Sequence, residues 1–180
     1  MNKTLVILAH PNIETSRVNR RWREELLRHS DRIDVHELYA AYSDWQIDVW
    51  QEQERLERYD RVILQFPLYW YSCPPLLKKW FDDVWTYGSS GTKLRGKSIG
   101  TAISIGDQKA NYLPEGGVSF TVDQILAPFK ASLRHVGAIE LPPFALFGAS
   151  FRVSDQEVEN SAAAYVEYVS NRAGAACESI

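Results

Sequence analysis

The stretch "VILQFPLYWYSCPPLLKKWFDDV", Val62 to Val84, decides how the rest of the chain is read. It opens on an apolar run, Val62-Ile63-Leu64, that reads with Gln65 and Phe66 as a strand buried on both faces of a parallel sheet. It closes on Leu77, Trp80, Phe81 and Val84, the spacing of an amphipathic helix, with Pro74 or Pro75 suited to the first turn. Between strand and helix stand Tyr69, Trp70 and Tyr71, flanked by prolines. An ordinary turn would use Gly, Asn or Asp. Three consecutive aromatics at such a point have either a core to fill or a flat ligand to cover.

The same strand-then-helix unit recurs outward in both directions. Thr4 to Leu8 is a short buried run, followed by Ser16 as a helix cap and by Val18, Trp22 and Leu26 at helical spacing. Ile33 to Leu38 alternates like a less buried strand, and Asp48 caps a helix through Gln51 to Arg58. Beyond the central stretch, Ser98 to Ser104 reads as a strand weakened by Gly100. Thr121 and Gln124 form a capping box for a helix carrying Ile125, Phe129, Leu133 and Val136, which Pro128 bends or delays. Ala138 to Leu141 or Phe144 to Phe147 supplies the last strand, because Pro142-Pro143 forbids one long central strand. Ser154 and Glu157 box the final helix, with Val158, Ala162, Tyr165, Val166 and Val169 as its stripe, and the tail after Asn171 is expected to fray.

About five βα units imply an α/β fold, a parallel sheet covered on both faces, as a single domain over residues 1–180. The 180 residues, 45% hydrophobic, suit one compact core. The net charge of −3 gives no general attraction for nucleic acid or an anionic membrane. Cys73 and Cys177 form neither a CxxC pair nor a metal cluster, so no metal is expected and a reducing, cytoplasmic compartment is. The N-terminal apolar run is too short for a signal peptide. The longest uncharged run, Val62 to Leu77, contains three prolines and is no membrane helix.

Ligands of such sheets bind at the carboxyl ends of the strands, near the topological switch point. The loops to inspect follow Leu8, Phe66 and Ser104. The first, "AHPNIETSRVN" (Ala9 to Asn19), leads into a helix N-terminus, whose free N–H groups and partial positive charge suit a phosphate, with Thr15, Ser16 and Arg17 as added donors. An ordinary capped helix with a surface His is the competing reading. There is no Walker A or GxGxxG sequence. The third, "SIGDQKANYLPEGG" (Ser104 to Gly117), has glycines that permit close backbone approach.

A phosphate cradle, an aromatic wall and a glycine-containing loop are the parts of a flavin mononucleotide site. With AHP…S..N in Ala9 to Asn19, QFPLYWYSCPPLLKKWFDDV in Gln65 to Val84 and "LPPFALF" in Leu141 to Phe147, nearly the whole chain resembles the flavodoxin-like NAD(P)H:quinone oxidoreductases. Its length and "LYAAYSDWQID" (Leu38 to Asp48) resemble the bacterial ancillary oxidoreductases of glutathione-regulated potassium efflux systems.

The resemblance implies a doubly wound five-stranded sheet of order 2-1-3-4-5. It implies FMN rather than FAD, since the extra C-terminal region of the longer FAD-using relative is missing. NADPH or NADH would be the donor, a quinone the acceptor, and a homodimer the assembly. His10 would lie beside the flavin phosphate and ribityl chain, and Ser16, Arg17, Val18 and Asn19 would form the phosphate loop. Pro67, Leu68, Tyr69, Trp70 and Tyr71 would run along the isoalloxazine, with Trp70 and Tyr71 at the reacting face. Ser104, Ile105, Gly106 and Asp107 would hold the pyrimidine edge, and Tyr112 would stand near the flavin carbonyl as the candidate catalytic hydrogen-bond donor. Trp45, Trp50 and Tyr42 are candidate interface anchors, with core packing the competing reading.

Two departures stand out. The family usually reads Thr-Thr-Gly-Gly where this chain has Ser104-Ile105-Gly106-Asp107, and an inward Asp107 would lower the flavin potential. The histidine that partners the tyrosine in the mammalian enzyme is replaced by Val118, which breaks any proton relay. Two other roles compete: a regulatory subunit held at the inner membrane by a potassium-efflux antiporter, and a flavodoxin-like electron carrier without NAD(P)H oxidation.

Overall fold

The computed structural model describes residues 3–85, 93–150 and 152–171. Cys177 and the tail after Asn171 lie outside the described residues. The strands are β1 (Thr4–Leu8), β2 (Ile33–Glu37), β3 (Arg61–Pro67), β4 (Ser98–Ser104), β5 (Ile139–Glu140) and β6 (Phe144–Leu146). The helices are α1 (Arg17–Leu27), α2 (Leu38–Ala41), α3 (Val49–Glu57), α4 (Pro75–Val84), α5 (Val122–Ile125), α6 (Ala127–His135) and α7 (Asp155–Ser170).

All strand pairs are parallel, in the order β2-β1-β3-β4-β5, with β6 also paired to β4. The expected 2-1-3-4-5 order is therefore present, but the fifth position is split and the sheet has six strands. β5 pairs with the start of β4 and β6 with its end. The register slips by one residue between them, since Ile99 faces Glu140 whereas Ala102 faces Phe144. Pro142 and Pro143 lie in the gap and offer no N–H to the ladder. Both candidate segments for the last strand are thus used.

Side-chain alternation builds a core on each face. Leu5, Ile7, Val62, Leu64, Phe66, Ile99 and Ile103 pack with Leu56, Trp80, Val84 and Leu133 on one side. Val6, Ile63 and Ala102 pack with Trp22, Leu26, Val158, Tyr165 and Val169 on the other. Gly100 belongs to this packing, because a Cβ there would overlap the Tyr168 hydroxyl, which donates to Pro142 O.

The expected caps form. Ser16 accepts from Asn19 N–H and Asp48 from Gln51 N–H, and both capping boxes are complete. Pro128 does more than bend its helix. The helix begun at Thr121 ends at Ile125 and restarts at Ala127, with the proline in the new first turn. The short α2 was not expected from the sequence. Among the described residues, no helix is long and apolar enough to cross a membrane.

Candidate active site

The carboxyl ends of β1, β3 and β4 converge where the strand order reverses. From β1 the chain passes through Ala9, whose N–H donates to Gln65 O, to His10, whose Nδ1 accepts from Asn12 N–H at 3.1 Å. That bond leaves the imidazole proton on Nε2 of the neutral ring. Burial holds His10 below its ordinary pKa. A short 3-10 turn, Ile13–Thr15, then delivers Ser16 as the cap of α1. Within α1 the N–H groups of Arg17 and Val18 have no carbonyl four residues back, so two backbone donors are presented at the positive end of the helix. Thr15 is less available, because its hydroxyl donates to Asn12 O.

The Arg17 side chain does not add charge to this loop. Its guanidinium donates to Val153 O at 2.7 Å and to Asp155 at 2.5 Å, on the far side of the α1 terminus. With the guanidinium engaged there, the Arg17 backbone N–H is what the residue presents to the loop.

Below the loop lies a buried polar rivet. Asn19, 1% exposed, donates to Ser104 Oγ at 2.7 Å, and Gln65 Nε2 donates to Asn19 O at 3.1 Å. Gln65 Oε1 is buried without a partner in the structure. The side chains of Asn19 and Ser104 thus tie α1 to β3 and β4. Val18 and Ile105 point into the core, so only their backbone can reach a ligand.

Beyond β3, Leu68 N–H donates to Ser104 O, and Tyr69 and Ser72 exchange two backbone hydrogen bonds at 2.9 Å each. That pair closes a two-residue hairpin turn with Trp70 at φ 47° and Tyr71 at φ 63°. Two left-handed residues in succession are the geometry of a type I′ turn, which favours Asn-Gly. Here it holds two large aromatics, at a cost of roughly 1–2 kcal/mol for each side chain forced into this region. The rings gain little burial in return: Trp70 is 91% exposed and Tyr71 48%. Neither fills the core, which removes the packing explanation for this segment. Tyr69 is also exposed and stands edge-on to His10, with ring centres 6.4 Å apart. Pro67 is buried at the strand end and Leu68 half-buried beside it.

The loop after β4 is laced to the segment after β6. Ile105 N–H donates to Leu146 O, Ala149 N–H to Ile105 O, and Gly148 N–H to Asp107 O. A Cβ at Gly106 would overlap the Ser150 hydroxyl, so glycine lets the two segments approach closely without turning that side chain. Asp107 is exposed, and both its carboxylate oxygens accept bonds from its own loop: Gln108 N–H and Asn111 Nδ2, each at 2.7 Å. These bonds hold its carboxyl below the usual carboxylate range. Tyr112 follows on a 3-10 turn, Lys109–Tyr112, buried against Phe147 with ring centres 5.7 Å apart. Burial raises its hydroxyl pKa, helped by Tyr71 and Asp107 nearby. The fold thus brings Tyr112 near Tyr71, although 40 residues of sequence separate them.

This architecture agrees with what the chain is similar to. Residues 2–169 match the family described by a flavodoxin-like fold. The chain belongs to that flavodoxin-like family. Among its relatives is the NAD(P)H oxidoreductase YdeQ of Bacillus subtilis (strain 168), itself called uncharacterized. It is 47% identical over 173 residues, spanning 94% of this chain and 87% of YdeQ. General stress protein 14 of Treponema denticola, solved in complex with FMN, superposes with a TM-score of 0.86 at 44% identity, covering 93% of this chain and 97% of that one. A protein of P. pentosaceus described as an NADPH-quinone reductase superposes at 0.83 with 31% identity, covering 96% and 99%.

The family member described here carries one buried cluster that sequence reasoning missed. Glu52 of α3 is fully buried. It accepts from Tyr42 OH at 2.9 Å and Trp80 Nε1 at 2.8 Å, and is paired with His36 at 2.9 Å and Arg55 at 3.3 Å. Burial raises its carboxyl pKa, but His36, Trp80 and Tyr42 outweigh that and hold it at about 2. The available signal was position: Glu52 lies four residues before the core residue Leu56, on the inward face of α3. Of the two readings of Tyr42, core packing is the one that holds, whereas Trp50 is 67% exposed.

Proposed function

We propose that this protein binds FMN non-covalently at the carboxyl ends of β1, β3 and β4 and oxidises NADPH or NADH, with a quinone as the electron acceptor. The observation that carries the proposal is the pair of aromatics held left-handed and exposed at the end of β3, beside the N-terminus of α1. A chain that keeps Trp70 and Tyr71 strained and wet gains from them only when a flat apolar ligand covers them. The names of the relatives support the same reading: an NAD(P)H oxidoreductase, an FMN complex and an NADPH-quinone reductase.

The residues fit the cofactor. The N–H groups of Arg17 and Val18, with the Ser16 cap, suit a phosphate. His10 Nε2–H and the backbone from Ile105 to Asp107 offer donors and acceptors at the edges of the site. Bound FMN would supply two-electron chemistry with nicotinamides and either one- or two-electron chemistry with acceptors, while the protein supplies orientation and electrostatics. Tyr112, neutral at physiological pH, donates a hydrogen bond rather than passing a proton onward, since Val118 replaces the relay histidine. The same proposal includes a homodimer, because Trp50 leaves a large apolar surface for a second copy to cover.

Chromatography of the flavin released on denaturation, followed by anaerobic titration with NADPH and then a quinone, tests this reading. FMN that bleaches with NADPH and recovers with quinone is expected. Recovery of FAD alone, or no flavin binding on reconstitution, overturns it. Bound FMN without NAD(P)H oxidation would instead mark an electron carrier. An ancillary role on a potassium-efflux antiporter, at the inner membrane, is a separate question that a pull-down with the antiporter answers.

A further inference from the structure

The turn that carries Tyr112 is held at both ends by its own chain. At the far end Val118 N–H donates to Asn111 O, and Gly116 sits so close to Ala110 O that a Cβ would overlap it. At the near end the Asp107 carboxylate takes Gln108 N–H on one oxygen and the Asn111 amide on the other, each at 2.7 Å. The Asp107 carbonyl is itself pinned by Gly148 N–H. Asp107 thus joins the fixed segment after β6 to the residue immediately before Tyr112. The Tyr112 ring then rests on Phe147, one residue from Gly148.

We infer that Asp107 is a positioning residue: its carboxylate, through Asn111, sets where the Tyr112 hydroxyl stands at the aromatic turn, and does not act as a charge on the bound ring. Two features favour a clamp over a field. Both oxygens already accept hydrogen bonds from the turn, and the group faces water, which screens its charge. The catalytic consequence of this inference rests on the flavin reading above. The fastening itself does not.

Four variants separate the alternatives. Asp107→Ala removes clamp and charge together, and Asn111→Ala removes much of the clamp while keeping the charge. Asp107→Asn keeps the clamp, because its oxygen still accepts from Gln108 N–H and its amide donates to Asn111 once that amide rotates. The double variant Asp107→Ala/Asn111→Ala tests whether the two act as one. With FMN bound, both alanine variants should lower kcat by ~10- to ~100-fold, the range for a misplacement of about 1 Å. Asp107→Asn should recover most of that loss, and the double variant should be no worse than either single. The flavin potential should change little across the series.

The second readout is the fluorine resonance of 3-fluorotyrosine placed at position 112, which needs no flavin turnover. It should move or broaden in both alanine variants and return in Asp107→Asn. Wild-type kcat and an unmoved fluorine line in Asp107→Ala would overturn the inference. So would an Asp107→Asn variant as impaired as Asp107→Ala with an altered potential, which would make the charge responsible. Were the protein to bind no flavin, the proposed function would fail while the fluorine line still decided the clamp.

Discussion

Replacing Trp70 with Asn isolates the strain stored at the aromatic turn. Trp70 sits at φ 47°, where a bulky side chain costs roughly 1–2 kcal/mol and Asn far less. Against that gain stands the burial lost with the indole. Trp70 is 91% exposed, so about 20 Å² leaves a buried environment, worth ~0.5 kcal/mol at ~25 cal/mol/Å². The apoprotein should therefore be stabilised by about 1 kcal/mol, which raises Tm by ~2–4 °C for a chain of this length. Tyr71→Asn is the contrast. Its φ is 63°, but only 48% of the residue is exposed, so ~100 Å² and ~2.5 kcal/mol are lost and Tm should fall. Thermal melts of dilute flavin-free protein read both signs. FMN titration of Trp70→Asn should then show affinity roughly 5- to 150-fold weaker, from the loss of ~1–3 kcal/mol of aromatic stacking. A Trp70→Asn apoprotein that melts several degrees lower would refute the reasoning, because the ring would then be supporting the fold. Unchanged FMN affinity would separate the strain from the ligand.

Other outcomes follow from the same structure. Glu52 has a folded pKa of about 2 against an ordinary 4.5, so its stabilisation is complete above the ordinary value and is lost as pH falls from there towards 2. Urea unfolding should lose ~2 kcal/mol from this group between pH 7 and pH 3, and Glu52→Gln should flatten that slope while costing about 3 kcal/mol or more at pH 7. An unaltered acid slope in the variant would assign the pH dependence to other carboxylates. Asn19→Ala strands the Ser104 hydroxyl in the interior, while Gln65 keeps its bond to the residue-19 carbonyl, and should cost roughly 1–3 kcal/mol in chemical denaturation. A smaller loss would mean that water replaces the rivet. Nicotinamide and quinone should compete for one aromatic-walled face, giving parallel double-reciprocal lines. Intersecting lines together with a detectable ternary complex would remove the shared site.

What could be read along the chain was local. Strand alternation, the Ser16 and Asp48 caps and both capping boxes depend on residues within a few positions of one another, and all of them form. The order of strands was not in those patterns. It came from the resemblance carried by the aromatic segment, and the parallel ladders bear it out. Pro142-Pro143 announced an interruption, but periodicity could not reveal that both flanking segments pair with β4. That choice depends on the register each finds against a strand some 40 residues away.

The candidate site divides in the same way. The sequence by itself determined that aromatics, a helix N-terminus and a glycine-bearing loop lie at strand ends, because the βα repeat places every such loop at one edge of the sheet. Only the tertiary structure decided what each side chain does there. Arg17 is drawn off by Asp155, 138 residues later. Asn19 is spent on Ser104, and Glu52 is buried because His36, Tyr42 and Trp80 surround it. Trp70 and Tyr71 are exposed because the Tyr69–Ser72 bridge turns them left-handed and away from the core. The physical reason is range. Propensity and capping act over one turn of helix or one strand, whereas a charged or polar side chain takes the partner that folding brings within about 3 Å of it.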